Sequence, residues 1–109
     1  MTLTQKKQAI KAASIYLEMR RHQIAEIGWS RGRHQIDIIA NQAGTYEFIA
    51  VNYSSENSSI DLFNYARQID NLKTASDIFI KETKIKASTS FFVIEVYGNA
   101  YAVMSLNQV

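Results

Sequence analysis

The sequence predicts one mixed α/β domain, in which a central five-stranded mixed sheet is flanked by two main helices in the order α-β-β-β-α-β-β. Three observations carry that expectation. Apolar residues recur at helical spacing in two separate stretches, around residues 9–17 and 62–79. Alternating or β-prone runs fill the intervals. A length of 109 residues supports one hydrophobic core but not two, so residues 1–109 read as a single domain without repeats or linkers.

The elements follow from local chemistry. Thr2 and Gln5 have capping-box spacing and open a helix that should run to about residue 21, with Ile10, Ala13 and Leu17 as its buried stripe between Ala9 and Tyr16. A short strand over 23–29 and a loop over 30–33 should follow. In the next strand, alternation puts Ile36, Ile38 and Ala40 on one face and Gln35, Asp37 and Ile39 on the other. Asn41-Gln42-Ala43-Gly44 reads as a tight turn. A strand over 46–53 then places Phe48, Ala50 and Asn52 opposite Glu47, Ile49 and Val51. Beyond a polar turn at 54–59, Ser58 and Asp61 signal a second cap. Leu62, Ala66, Ile69, Leu72, Ser76 and Phe79 mark a helix over about 60–80. A basic linker at 81–88 leads to a strand over 89–97, a Gly98-Asn99 hairpin turn and a last strand over 100–106.

Composition narrows the functional classes. Hydrophobic residues make up 47% and charged residues 20%, the balance of a folded globular domain rather than a disordered one. No apolar run approaches the roughly 20 residues that span a bilayer, so no membrane partner is expected. The lack of a secretory apolar segment points to a cytoplasmic protein. Zero cysteines exclude disulfides, thiolate metal sites and cysteine nucleophiles. Net charge is only +2, but residues 1–36 carry seven basic side chains against Glu18 and Glu26, and the remainder is acidic. That asymmetry suggests an anionic partner. Histidine catalysis and metal binding have little support, because His22 and His34 are the only two histidines. No nucleophile elbow or glycine-rich phosphate loop is present. Trp29 and the tyrosines lie mainly in strand or helix patterns, which favours packing over base stacking.

The segment His34-Gln35-Ile36-Asp37-Ile38-Ile39-Ala40, followed by a turn and Phe48-Ile49-Ala50-Val51-Asn52, resembles the signature of the YraN-like family. That family has a restriction-endonuclease-like fold, and its signature runs G-E-I-D-L-I-A, turn, F-V-E-V-K. Ala13-Ser14-Ile15-Tyr16-Leu17 is similar to the family's A-x-x-Y-L helix, although the acidic residue expected a turn earlier is Ile10 or Lys11. The resemblance implies a restriction-endonuclease-like domain with Asp37 as one metal ligand, position 50 as a second and position 52 as the catalytic lysine. Here those two positions hold Ala50 and Asn52, and the acidic residue before Asp37 is Gln35.

Phosphodiester cleavage with Mg²⁺ or Mn²⁺ requires several hard oxygen donors and a cation to offset developing charge. Asp37, Gln35, Ala50 and Asn52 supply one anion among them, so the expectation is a remnant pocket with no resident cofactor. The bland role for Asp37 is a hydrogen bond to nearby backbone or to an arginine. The basic groups Arg20, Arg21, Arg31, Arg33 and His34 then suggest sequence-independent DNA or RNA binding through phosphates. Arg20 and Arg21 equally suit a helix C-terminal dipole. Two alternatives accompany this reading. One is an active Mg²⁺- or Mn²⁺-dependent endonuclease with relocated groups drawn from Glu56, Asp61, Arg67 and Lys73. The other is a protein-interaction or homo-oligomeric module that offers Phe91, Phe92, Val93 and Ile94 as a core or as an edge for strand pairing.

Overall fold

A computed structural model describes residues 2–55 and 62–109. The elements are α1 (Leu3–Met19), β1 (Gln23–Arg31), β2 (His34–Gln42), β3 (Thr45–Ser54), α2 (Leu62–Thr83), β4 (Thr89–Tyr97) and β5 (Ala102–Gln108), in the order expected. They form a five-stranded sheet in spatial order β1-β2-β3-β4-β5. The first three strands are an antiparallel meander, β3 and β4 are parallel, and β4–β5 is an antiparallel hairpin. The parallel step needs a crossover, and the 22-residue α2 supplies it.

Each helix covers one face. Ala9, Ala13 and Leu17 of α1 are fully buried against Ile38, Ala40, Ile49, Val51, Ile94 and Val96. Leu72, Ala75 and Phe79 of α2 pack with Trp29, Ile36, Ile39, Phe48, Ala50 and Val93. The expected split of β3 therefore holds, with Phe48 and Ala50 facing α2 and Ile49 and Val51 facing α1. The α2 face is aromatic. Phe79 meets Trp29 and Phe48 edge-on at ring-centre distances of 5.6 and 5.7 Å, and Phe48 stacks on Phe91 at 5.8 Å.

The structure corrects several local expectations. Ile36 and Ile38 do not share a face: Ile36 packs with the α2 cluster and Ile38 with the α1 cluster. The alternation breaks at Asp37, between the pairs Trp29↔Ile36 and Ile27↔Ile38, where Gly28 of β1 has φ +71°. Helix α1 ends at Met19, because Arg20 caps it and Arg21 turns left-handed at φ +68°. The loop expected over 30–33 shrinks to the turn Gly32-Arg33, since Ser30 and Arg31 pair with Gln35 and His34. The turn after β2 is confined to Ala43-Gly44, both at positive φ, and Asn41 Oδ1 accepts from the Gly44 amide. Ala66 is exposed, and Tyr65 packs toward the core in its place. Helix α2 runs on to Thr83 before Lys84 turns left-handed and its amide bonds to Ile80. The final strand begins at Ala102, because the chain reverses through 98–101 with Tyr101 at φ +52°. The Ser58–Asp61 capping signal lies outside the described residues.

Both edge strands are interrupted. Ala25 of β1 is an extra residue between Ile24↔Ala40 and Glu26↔Ile39, and Met104 of β5 is extra between Val96↔Val103 and Glu95↔Ser105. Such bulges oppose the addition of a further strand. The Phe91–Ile94 run belongs to β4, an inner strand, and supplies core rather than edge.

Two measurements test this packing. Leu17→Ala should lower unfolding free energy by about 2–5 kcal/mol in a urea titration, because a fully buried side chain leaves a cavity. Partial burial, and then Tyr101 stacked at 5.0 Å, raise the Tyr53 hydroxyl above its ordinary pKa of 10.0. Its protonated form is favoured in the folded state, so this contribution is complete below pH 10 and is lost as pH rises past the folded pKa. Ultraviolet titration should show a late-ionising component that Tyr53→Phe removes.

Candidate functional site

The pairing of β2 with β3 runs from Gln42↔Thr45 to Ile38↔Ile49 and stops one residue short of Asp37. At that point a side chain takes over from the backbone ladder. Asp37 Oδ2 accepts the Val51 amide at 2.8 Å and the Lys6 ammonium at 2.8 Å, and Lys6 also donates to the Val51 carbonyl. The Lys6 and Asp37 side chains are 27% and 17% exposed, so solvent screens their attraction only in part. A carboxylate and a carbonyl oxygen thus converge on one cationic position, and an ammonium on α1 fills it. The expected backbone bond of Asp37 is present, and the cation is a lysine rather than an arginine.

The four residues expected to mark a remnant pocket do not share one cavity. Gln35 and Asp37 line a groove beneath α1. Ala50 is buried in the α2 cluster on the other face. Asn52 bonds reciprocally with Gln68 of α2, at 2.9 and 2.6 Å, and donates to Glu95 of β4 at 3.2 Å. A network of amides and one carboxylate stands where the resemblance implies a lysine. Among the described residues, no cluster of three His, Asp or Glu side chains can hold a metal ion. The donor set at Asp37 does not fit Mg²⁺ or Mn²⁺, which need several hard oxygens around one point. Of the groups considered for relocation, Glu56 and Asp61 lie outside the described residues. Lys73 sits 5.4 Å above the Phe91 ring, on the α2 side.

The arginines are separated as well. Arg20 and Arg21 precede the start of β1, whereas Arg31 and Arg33 lie at its far end, roughly 25 Å away at strand rise. Arg20 lies over the Tyr16 ring at 3.7 Å. Arg31 donates to Glu82 at 2.8 Å and lies 5.1 Å from the Trp29 ring centre, so part of its charge is already matched. Arg33 is exposed in the β1–β2 turn, and the half-buried His34 pairs in register with Arg31. The groove joins Lys6, Lys7 and Lys11 of α1 to Ser30 and Gln35 of this hairpin, so the basic groups lining it beside Asp37 all come from α1.

One polar pair escaped the sequence reading. His22 Nδ1 donates to Glu47 Oε1 at 2.6 Å, and the two side chains are 8% and 4% exposed. The pair ties the segment after α1 to β3. Alternation placed Glu47 on one side of β3 with Ile49 and Val51, the structure covers that side with α1, and an acid turned toward a core demands a partner. No protein-family model and no curated protein matches the chain.

A double-mutant cycle measures the Lys6–Asp37 link. Lys6→Met and Asp37→Asn should couple by about 1–3 kcal/mol in urea unfolding. Asp37→Ala should destabilise more than Lys6→Met, because it also strips the Val51 amide of its acceptor.

Proposed function

We propose that this chain is a catalytically degenerate, restriction-endonuclease-like domain related to the YraN-like family, which binds DNA or RNA without sequence preference and does not cut it. The arrangement around Asp37 carries the reading. The one retained acid is engaged by Lys6 and by the Val51 amide, while Ala50 and Asn52 turn toward α2. A divalent ion would have to displace the ammonium and would gain a single carboxylate. The element order and the position of Asp37 at the point where β2 and β3 part support the relationship.

Nucleic acid would be held through phosphates. Arg31, Arg33 and His34 form one contact region at the hairpin end of β1, and Arg20 and Arg21 form another at its start. A separation of roughly 25 Å corresponds to about seven base-pair steps, so a duplex laid along β1 would reach both. Affinity for a labelled duplex of about 20 base pairs should fall linearly with salt on a logarithmic plot. Arg31→Ala with Arg33→Ala should reduce that slope by between about 1 and 2, nearer 1 because Arg31 already bonds to Glu82. Equal binding by the Arg31→Glu, Arg33→Glu variant would refute these contacts. Cleavage of linear, nicked or branched DNA in Mn²⁺ that Asp37→Ala abolishes would refute the loss of catalysis.

A further inference from the structure

A groove of about 510 Å³ lies between the N-terminal half of α1 and the β1–β2 hairpin. That volume falls in the range of small-molecule sites, roughly 300–1,000 Å³. Its apolar walls are Leu3 and Ile10 from α1 and Ile27 from β1, with no aromatic ring among the lining residues. Leu3 and Ile27 remain 71% and 53% exposed, an unusual state for two large apolar side chains on one groove. Above them stand Lys7 and Lys11, one helical turn apart.

Those lysines work against their own helix. Lys7 lies close to the positive end of the α1 dipole, the first turn holds no acidic residue, and like charges four residues apart repel. Lys6 is balanced by Asp37, but Lys7 and Lys11 have no ion-pair partner among the described residues. An anion seated over the groove would relieve that repulsion.

We propose that the groove binds a small aliphatic anion, a carboxylate on a medium-length hydrocarbon chain. The chain lies along Leu3, Ile10 and Ile27, and the head group meets Lys7 and Lys11. Smooth aliphatic walls without rings favour a hydrocarbon over a stacked base. This site is separate from the arginine contacts proposed for nucleic acid, so either assignment can fail without the other.

Decanoate is the probe, with decanol as its uncharged counterpart, in calorimetric and amide-shift titrations of the whole chain. Decanoate should bind saturably and move the amides of Ile27, Gly28 and Ile36. Decanol should bind at least about tenfold more weakly. Lys7→Ala with Lys11→Ala should weaken decanoate about tenfold, and Ile27→Asp should do likewise; these exposed positions leave the fold intact. No saturation, equal binding of decanol, shifts confined to other regions, or unchanged affinity in both variants would overturn the proposal. So would a DNA duplex that moves these amides when decanoate does not.

Discussion

Burial of the inner strands on both faces is the constraint from which the rest follows. With α1 on one side and α2 on the other, every residue of the middle of β3, from Glu47 to Val51, must be accommodated in a core. Most of these positions are aliphatic or aromatic and alternate between the two clusters. Polar groups survive there only with partners. Glu47 has His22, Asp37 has Lys6 and the Val51 amide, and Asn52 has Gln68 and Glu95. No buried side-chain nitrogen or oxygen among the described residues lacks a hydrogen bond.

The same constraint gives Asp37 its character. Where β2 and β3 part, the Val51 amide loses its ladder partner, and an unsatisfied amide at a half-buried site is costly. The aspartate replaces that partner, and its charge draws in an ammonium from a helix 31 residues earlier. This arrangement is structural chemistry, complete within the chain. The proposed loss of catalysis rests on it.

The surface is organised by different forces. Arg20 and Arg21 are divided from Arg31 and Arg33 by the length of β1, while Lys6, Lys7 and Lys11 of α1 gather where that helix passes over the hairpin. Charge distribution, rather than total charge, then decides which regions an anion meets. The bulges at Ala25 and Met104 oppose strand addition at both edges of the sheet.

The sequence alone determined the order of the elements, the capping box at Thr2 and Gln5, the two-faced pattern of β3 and the uncharged residues Ala50 and Asn52 where the resembling signature has an acid and a lysine. All of these are written in local spacing, where backbone geometry and side-chain period act over a few residues. Tertiary structure decided what local spacing cannot encode. It chose Lys6 over an arginine for Asp37, paired His22 with Glu47 and turned Ile36 away from Ile38. Each depends on how helices and strands distant in the chain come to rest on one another, and on a break in strand alternation that only the neighbouring glycine's backbone reveals.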